Sequence, residues 1–390
     1  MIYVAAAIVW VALGVIAYVY AGYPAILWLC ARTRSRKVRQ AEIDASVTLV
    51  ISAFNEERTI AKKLENTLAL DYPKDRFEVM VVSDASTDET DAIVAGFSDR
   101  GIDILRLPKR QGKTAGLNAA VRAASGEIVV FSDANILYRR DAVRALVRNF
   151  ADTEVGCVTG DSRYVDLEPS EAHAQESAYW GYERFIRELE SRVGSTVGGD
   201  GAIFAIRREF YTPLPAEAIN DLVTPLQIVA RGYRAVFEPE AVGFEPSAGD
   251  FRGEFRRKRR IVNRSWHGVM SVSEVLNPRR VGWFAWQVWS HKVLRWFVLP
   301  LILLAAGGCF IALPLGLHYR LGAWGFVASL ALAGTGAFAP ARWGRAATLP
   351  HAAWYFYLVN LAAVLGMAMA LIGRVEMVWN PERKSDVRAR

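Results

Sequence analysis

The sequence predicts an α/β domain built on a mainly parallel sheet, flanked at both ends by membrane-spanning helices. Two observations lead to this prediction. Between about residues 32 and 280, short β-like apolar runs alternate with helical patterns, and this segment holds nearly all of the charged side chains. Long apolar stretches without charged residues lie on either side of it. One aqueous domain held at a membrane fits this division better than a channel, whose charges would not be so concentrated.

Residues 1–31 are predicted to form a retained transmembrane anchor. No charged side chain occurs from residue 2 to residue 30, and about 20 apolar residues are enough to cross a bilayer as a helix. A cleaved signal peptide is disfavoured. The apolar run is too long for one, lacks a basic start and is not followed by a small-residue cleavage site.

Residues 281–376 are predicted to contain an interfacial helix and about three transmembrane helices. The segment VGWFAWQVWSHKVLRW combines Trp with Lys and Arg, which is typical of a helix lying at the headgroup level. The apolar stretches cover roughly 296–317, 321–340 and 352–372. One anchor and three later spans would place the basic tail, 377–390, outside the cell. This conflicts with the positive-inside tendency, so the number of spans stays open.

The distribution of basic residues predicts a multi-pass protein of the cell membrane whose central domain faces the cytoplasm. ARTRSRKVR follows the first span directly, and RRKRR precedes the later ones. Much of the net charge of +7 is therefore expected to interact with membrane lipid or an anionic substrate, and not with nucleic acid. The three cysteines and five histidines show no metal-type spacing, which argues against zinc.

Four apolar runs of the central domain are predicted to be buried parallel strands, each followed by a helical pattern. They are VTLVISAF, FEVMVVSD, IDILRLP and EIVVFSDA. Continuous apolar strands are typical of a parallel sheet covered on both faces. In such a sheet, ligands bind beyond the carboxyl ends of the strands. A further segment, 171–193, is predicted to be an amphipathic helix near the membrane or an acceptor.

Polar side chains follow all four strands at their carboxyl ends. They are Asn55, Glu56 and Glu57 after the first, Asp84 and Ser86 after the second, Lys109, Arg110 and Lys113 after the third, and Asp133 and Asn135 after the fourth. Each set alone could be a helix cap, but their convergence predicts a binding site. Carboxylate and amide oxygens ligate hard cations such as Mg²⁺ or Mn²⁺. Alternation along a strand places Asp133 and Asn135 on one face.

Two common nucleotide motifs are absent. QGKT resembles a phosphate-binding loop, but Leu107 stands where that motif needs its first glycine. No G-x-G-x-x-G follows the first strand. A nucleoside diphosphate would therefore be held by carboxylates, a metal ion and basic side chains.

Seven elements in order, between about residues 47 and 265, resemble the motifs of family 2 glycosyltransferases. They are SAFNEE, VVSDASTDET, GKTAGLN, FSDAN, GGDGAIFAIRRE, NDLVTPLQI and RRKRRI. The family consists of inverting enzymes with the GT-A fold, a Rossmann-like, mixed and mainly parallel sheet. The flanking apolar segments add a resemblance to its membrane-bound members, the poly-N-acetylglucosamine, hyaluronan and cellulose synthases.

The resemblance implies a UDP-sugar donor, a Mg²⁺ or Mn²⁺ cofactor and a set of site residues. The implied nucleotide- and sugar-binding residues are Ala53, Asn55, Glu57, Asp84, Lys113, Asp133 and Arg260. Asp133 would bind the metal, and Asn135 stands where the family usually has a second Asp. The implied acceptor-side residues are Gly199, Asp200, Gly201 and Trp266. Arg257 and Ile261 replace the Gln and Trp of the family's Q-x-x-R-W motif.

Asp221 is the predicted general base. The acceptor hydroxyl must lose a proton as it attacks, and a carboxylate within hydrogen-bond reach is the expected proton acceptor. Asp221 follows a loop that contains Pro213 and Pro215 and opens an apolar helical run. The same position also suits a helix N-cap, which is the structural alternative.

The predicted function is transfer of a hexose or N-acetylhexosamine from a UDP-sugar to a growing polysaccharide or a lipid-linked acceptor. The apolar segments after the central domain favour a polysaccharide that is secreted through the membrane. The sequence does not identify further partners in secretion. The altered Q-x-x-R-W segment favours a non-processive transferase acting on a polyprenyl-phosphate or glycolipid. A non-catalytic membrane sensor that binds a nucleotide is the alternative from another class.

Overall fold

A computed structural model describes residues 1–165, 171–246, 251–339, 343 and 346–375. The tail predicted at 377–390 lies outside the described residues. The described part contains one eight-stranded sheet. Its strands are β1 (Val47–Ala53), β2 (Phe77–Ser83), β3 (Ile102–Arg106), β4 (Ile128–Asp133), β5 (Leu137–Tyr138), β6 (Val155–Val165), β7 (Ile203–Arg207) and β8 (Arg234–Pro246).

The sheet is mixed, with the order β3-β2-β1-β4-β7-β6-β8-β5. The first four strands in this order run parallel to one another. Strand β7 is antiparallel to both of its neighbours, β4 and β6. Strands β6 and β8 pair in parallel, and the short β5 adds an antiparallel edge. The four strands predicted from the sequence form the parallel half.

Fifteen α-helices accompany the sheet in the described part of the chain. They are α1 (Ile2–Ala17), α2 (Tyr23–Thr33), α3 (Ile60–Leu68), α4 (Thr90–Ala95), α5 (Lys113–Ala123), α6 (Ala142–Val147), α7 (Glu171–Val193), α8 (Asn220–Ala230), α9 (Phe251–Ser271), α10 (Pro278–Val281), α11 (Trp283–Val288), α12 (Leu294–Trp296), α13 (Val298–Ile311), α14 (Leu317–Phe338) and α15 (Thr348–Leu371). The amphipathic helix predicted at 171–193 corresponds to α7.

Helices cover both faces of the sheet. Within β1, Ile51 belongs to one hydrophobic core and its neighbour Val50 to the other, and both are fully buried. Helices α3, α4 and α6 contribute to the first core, whereas α5 and α8 contribute to the second. Burial on both faces explains why the parallel strands are continuously apolar.

The strand register brings the predicted polar loops to one edge of the sheet. Ala53 lies opposite Ser83, and Ser52 lies opposite Asp133. Ser83 in turn lies opposite Arg106, the last residue of β3. The carboxyl ends of β1 to β4 are therefore level, and the four loops that follow them open on the same side of the domain.

Three helical segments of the described chain are long and apolar enough to span a membrane. They are Ile2–Thr33, in which a π-helical turn joins α1 to α2, and the helices α14 and α15. A fourth candidate is the segment Trp283–Trp296 followed by α13, which meet at an angle of 62°. The bend falls at the end of the segment predicted to lie in the interface.

The apolar helices pack directly on helices of the αβ domain. An added Cβ at Gly366 of α15 would lie 2.4 Å from the carbonyl oxygen of Arg259, so α9 and α15 touch backbone to backbone. At the amino-terminal end of the chain, Leu27 of α2 is buried against Ile186 and Leu189 of α7. The domain is thus held between the amino-terminal and carboxyl-terminal helices.

Candidate active site

The loops after β1 and β2 are tied together through Asn55. Its side-chain oxygen accepts a hydrogen bond of 2.8 Å from the backbone N–H of Thr87, and its own backbone N–H donates to the hydroxyl of Ser86 at 3.2 Å. Asn55 and Ala85 both have positive φ angles, 55° and 56°. Strained backbone of this kind persists where the surroundings hold it, and it clusters at functional sites.

Ala53 and Glu57 lie in the same pair of loops. The carbonyl of Ala53 accepts a hydrogen bond of 3.0 Å from the backbone N–H of Asp84. The backbone N–H of Glu57 donates to the Asp88 carboxylate, and the Glu57 carboxylate accepts from the N–H of Glu89, both at 3.3 Å. The first predicted binding residues are therefore parts of one rigid pair of turns.

Asp84 shapes the loop that leads to Lys113. Its two carboxylate oxygens accept hydrogen bonds from the backbone N–H groups of Gln111 and Gly112, at 2.7 and 2.8 Å. Gly112 has a φ angle of 90°, a conformation that favours glycine. The resemblance implies that Asp84 contacts the uracil or ribose. In this structure the same carboxylate also fixes the start of α5.

Lys113 connects the strand ends to the glycine loop 198–201, which is predicted to lie on the acceptor side. It is the first residue of α5, and its ammonium forms an ion pair with the Asp133 carboxylate at the end of β4. The same ammonium donates a hydrogen bond of 3.1 Å to the carbonyl of Gly201. About a third of each side chain, Lys113 and Asp133, is exposed, so both remain accessible to a ligand.

The predicted metal ligands Asp133 and Asn135 lie at the end of β4 and in the turn that follows it, both partly exposed. Among the described residues, no three His, Cys, Asp or Glu side chains cluster as a protein-only metal site. The donor set fits a cation that completes its coordination with substrate phosphates, because Mg²⁺ is commonly held by one or two carboxylates together with phosphate oxygens.

Asp221 lies in the first turn of α8, against the glycine loop 198–201. The backbone N–H of Gly199 donates a hydrogen bond of 2.6 Å to the carbonyl of Asp221. An added Cβ at Gly201 would lie 3.0 Å from the Asp221 Oδ2 atom, so the loop passes directly over the carboxylate. The other oxygen, Oδ1, is buried without a hydrogen-bond partner in the described structure. An orphaned carboxylate oxygen is suited to accept a proton from a ligand.

The surroundings of Asp221 raise the pKa of its carboxyl group. Burial is the largest cause, and the positive charge of Lys113 opposes it. The negative charge of Asp200 raises the pKa further, whereas Arg187 lowers it. A carboxyl group whose pKa is raised is a stronger base when ionised, which suits general-base chemistry.

Asp200, in the glycine loop, anchors this loop beside Asp221. Its backbone N–H donates to the hydroxyl of Thr159 at 2.8 Å, and its carboxylate lies 3.6 Å from the guanidinium of the buried Arg187. Its other oxygen accepts from the N–H of Ala202 at 3.2 Å. These bonds anchor the glycine loop to β6 and α7.

Arg264 is a site residue that the sequence did not single out. Its guanidinium donates hydrogen bonds to the carbonyls of Ala216 and Glu217, at 3.3 and 3.0 Å, and to the hydroxyl of Thr114 at 3.1 Å. It also bonds the carbonyl of Ala218. Burial lowers the pKa of Arg264, while the charge of Asp221 raises it.

The predicted residue Arg260 lies on the same helix, α9, one turn before Arg264. Its contact with a diphosphate stays a prediction. The four-residue spacing that places Arg264 on the same side of the helix as Arg260 was the signal available in the sequence.

The predicted acceptor residue Trp266 is packed within the protein. Its ring lies 5.8 Å from that of Trp296, and it packs against the second hydrophobic core. A stacking platform for a sugar needs an accessible ring face. The position of Trp266 therefore favours a packing role, and its acceptor role stays a prediction.

Lys63 is a second unexpected residue, because it is a fully buried lysine of α3. Its ammonium lies 3.9 Å from the ring centroid of Tyr138 and has no hydrogen-bond partner in the described structure. Burial lowers its pKa to about 7, although the charge of Asp133 acts in the opposite direction. Helical periodicity alone cannot distinguish such a lysine from an exposed one.

Five of the predicted residues therefore form one connected group, namely Asp84, Lys113, Asp133, Gly201 and Asp221. Asp84 holds the loop that starts α5, Lys113 bridges Asp133 and Gly201, and Gly201 lies against Asp221. The arrangement brings a carboxylate suited to a cation, a lysine and a second, partly buried carboxylate together at the carboxyl edge of the sheet.

Comparison with known proteins identifies the class to which this arrangement belongs. Residues 48–212 match the profile of the family described as Glycosyl transferase family 2. This segment includes β1 to β4 and the glycine loop, so the resemblance predicted from the motifs is confirmed for this part of the chain. Asp221 and Arg264 lie beyond the matched residues.

Particular relatives extend this identification. A poly-beta-1,6-N-acetyl-D-glucosamine synthase of Staphylococcus aureus is 28% identical over 205 residues, covering 50% of this chain and 48% of the relative. The probable glycosyltransferase YdaM of Bacillus subtilis is 27% identical, covering 57% of this chain and 56% of YdaM. The chain thus spans about half the length of the curated relatives it matches.

A solved structure covers more of the chain. The mannosyltransferase PcManGT from Pyrobaculum calidifontis, in complex with GDP-Man and Mn2+, is 25% identical with a TM-score of 0.67. The alignment covers 93% of this chain and 99% of that one. The predicted GT-A fold is confirmed.

Proposed function

We propose that this protein is a membrane-bound inverting glycosyltransferase. It transfers a hexose or N-acetylhexosamine from a UDP-sugar to a growing polysaccharide or a lipid-linked acceptor. The observation that carries the proposal is the bridge formed by Lys113 between Asp133, on the donor side, and Gly201, which lies against the partly buried Asp221 carboxylate. The bridge supports the proposal because it brings together the two groups that a displacement at the anomeric carbon would require.

On the donor side, the leaving diphosphate gains negative charge as its bond to the sugar breaks. Asp133, with Asn135 beside it, would hold a Mg²⁺ or Mn²⁺ ion. The bound cation would stabilise the charge that develops on the diphosphate. Lys113 supplies a fixed positive charge at the same edge, which is most effective when it is already in place before the reaction.

On the acceptor side, Asp221 would take the proton of the attacking hydroxyl. Its Oδ1 atom is free to accept a hydrogen bond, and its raised pKa increases its basicity. A single displacement by the hydroxyl inverts the configuration at the anomeric carbon. Asp200 and the glycine loop would hold the acceptor beside this carboxylate.

The placement at the membrane rests on the apolar helices and on the charge next to them. Three segments are long and apolar enough to span a bilayer. Exposed basic side chains follow α2 immediately, at Arg34, Arg36 and Lys37. By the positive-inside tendency, the catalytic domain would face the cytoplasm, where nucleotide sugars are available.

Two acceptor classes remain within this proposal, and different observations favour each. The resemblance to a poly-N-acetylglucosamine synthase favours a growing polysaccharide. The packing of the partly buried Trp266 against Trp296 favours a lipid-linked acceptor and a non-processive enzyme, because it gives the ring a role in packing within the protein.

The test is nucleotide release by the purified full-length protein, with and without Mn²⁺ or Mg²⁺. UDP-glucose, UDP-N-acetylglucosamine and UDP-glucuronate are offered in parallel, with GDP-mannose included because PcManGT was solved with it. We expect cation-dependent UDP release from one of the UDP-sugars. Release of GDP alone would contradict the UDP donor. Binding of UDP without turnover of any donor would favour the non-catalytic sensor.

A further inference from the structure

Glu190 is a fully buried carboxylate of α7 that supports the glycine loop from behind. Its Oε2 atom accepts a hydrogen bond of 2.9 Å from the backbone N–H of Val197, and the Thr196 hydroxyl approaches the same atom at 3.4 Å. Val197 directly precedes the loop 198–201. The bond from Gly199 to the Asp221 carbonyl completes the connection from Glu190 to the proposed base.

The other oxygen of Glu190 faces the apolar helices. Its Oε1 atom accepts a hydrogen bond from the hydroxyl of Tyr23, in the amino-terminal segment, and lies 2.7 Å from Nδ1 of His291. All three side chains are fully buried. A single carboxylate therefore joins the first membrane segment, the bent segment around residue 291 and the loop over Asp221.

A buried carboxylate costs free energy unless its partners compensate for the lost solvation. Burial alone would raise the pKa of Glu190, but His291, Tyr23 and the Val197 N–H more than offset it, and the pKa is lowered. Glu190 is thus held as an ionised acceptor. Charge-assisted hydrogen bonds of this kind fix geometry more strongly than neutral ones.

The donor-side loops have their own internal bonds. Asn55 joins the first two loops, and Asp84 holds the loop before Lys113. None of these bonds involves Glu190. A substitution at Glu190 should therefore impair use of the acceptor more than binding of the nucleotide.

We propose that Glu190 is a positioning residue through which the amino-terminal membrane helix holds the glycine loop 198–201 in place for the acceptor. The inference rests on the proposed function, because it assigns the loop to the acceptor side. It makes the first membrane segment a part of the transfer site as well as an anchor. Tyr23 is the contact that carries this coupling.

The experiment uses the full chain in detergent micelles with the variants Glu190→Gln and Tyr23→Phe. Transfer from UDP-N-acetylglucosamine to β-1,6-linked N-acetylglucosamine oligomers is compared with UDP affinity and with donor hydrolysis by water. We expect Glu190→Gln to lower kcat/KM for the acceptor about tenfold or more, with UDP affinity changed by less than about twofold. Tyr23→Phe should cause a smaller loss in the same direction, because it removes one hydrogen bond and keeps the ring.

Matched controls are available on α7 and in the amino-terminal segment Ile2–Thr33. Glu188→Gln removes a half-exposed carboxylate of α7 that pairs with the exposed Arg192, and Tyr3→Phe alters an exposed tyrosine of α1. Both should leave acceptor use unchanged. Equal losses of UDP affinity and acceptor use in Glu190→Gln, or no loss at all, would overturn the positioning role.

Hydrogen exchange provides a readout that does not depend on activity. Glu190→Gln should accelerate backbone exchange across residues 195–201 while leaving residues 109–113 unchanged. Unchanged exchange at 195–201 would overturn the coupling even if transfer falls. If the wild-type protein consumes no nucleotide sugar, the proposed function fails, and the exchange result still decides whether Glu190 fixes the loop.

Discussion

The backbone N–H of Gly199 donates a hydrogen bond of 2.6 Å to the carbonyl oxygen of Asp221. This bond joins the glycine loop to the first turn of α8, so the loop and the proposed base keep a fixed relative position. Two residues later, the loop passes close to the Asp221 carboxylate, so that a Cβ at Gly201 would lie 3.0 Å from Oδ2 and the carboxylate would have to shift by a few tenths of an ångström. The position of the proposed base is therefore sensitive to a side chain at residue 201.

Gly201→Ala tests that dependence. The new Cβ would lie 3.0 Å from Asp221 Oδ2, which is too close unless the carboxylate or the loop moves. We expect kcat for transfer to fall about tenfold, since a misplacement of about 1 Å can cost about 100-fold and the shift needed here is smaller. Steady-state transfer and UDP binding, measured on the same preparation, check the result.

Gly194→Ala is the control for this substitution, because an added Cβ there meets no atom within 4 Å. It should transfer at the wild-type rate. Wild-type activity in Gly201→Ala would show that the carboxylate can shift without consequence, which contradicts its assigned place in the reaction.

Asp84→Asn should weaken nucleotide binding through the loop before Lys113. An amide can offer its oxygen to only one of the two backbone N–H groups, so either Gln111 or Gly112 loses its acceptor. These N–H groups are only partly buried, so losing one hydrogen bond to a charged acceptor costs about 1–2 kcal/mol, and we expect UDP affinity to fall about tenfold. Asp103→Asn, on the exposed side of β3, should leave the affinity unchanged. Calorimetric titration with UDP and Mn²⁺ distinguishes the two.

Asp221→Asn should stabilise the fold while removing activity. The folded-state pKa of Asp221 is raised by burial, so the folded protein binds more protons than the unfolded chain between the two pKa values. Stability of the wild type therefore falls as pH rises through that interval, and Asn removes this loss. We expect a melting temperature a few degrees higher than wild type at pH 8 and little difference near pH 4. If the difference in melting temperature between the two proteins were the same at pH 4 and pH 8, the pKa of Asp221 would not be raised in the folded protein.

Lys63 should make the stability of the fold depend on pH in the opposite sense to Asp221. Its folded-state pKa of about 7 lies below the ordinary lysine value, so the unfolded chain binds more protons above pH 7. Stability should rise with pH from about 7 toward the unfolded-state pKa near 10.4. Lys63→Met keeps the volume and removes the charge, and it should be more stable than wild type near pH 6. Thermal unfolding of both proteins between pH 6 and 9 tests this, and parallel curves would contradict a buried, titrating lysine.

The donor half of the site could be predicted from the sequence because it follows from the parallel strands. Once four buried strands run parallel, the loops after β1 to β4 must open at the same edge, and each carries its polar residues there. Asp84, Lys113 and Asp133 were named on that basis. The structure adds the Lys113–Asp133 ion pair, which no spacing in the sequence indicates.

The residues that the sequence did not reveal depend on packing between distant elements. Arg264 contacts a loop near residue 217, and Glu190 meets Tyr23 and His291 from two other parts of the chain. The spacing of four residues from Arg260 indicates only the side of α9 on which Arg264 lies, and nothing local distinguishes Glu190 from the half-exposed Glu188. The 62° bend after Trp296 was likewise not predicted from the sequence.

The most direct measurement compares sugar transfer by the wild-type protein and Asp221→Asn, with UDP affinity determined on the same preparations. If one cleft joins the nucleotide to a carboxylate that accepts the acceptor's proton, the wild type transfers radiolabelled sugar and the variant loses at least about 100-fold of that rate. Both proteins should bind UDP equally. Comparable transfer by the two proteins, or loss of UDP binding together with activity, would contradict this account.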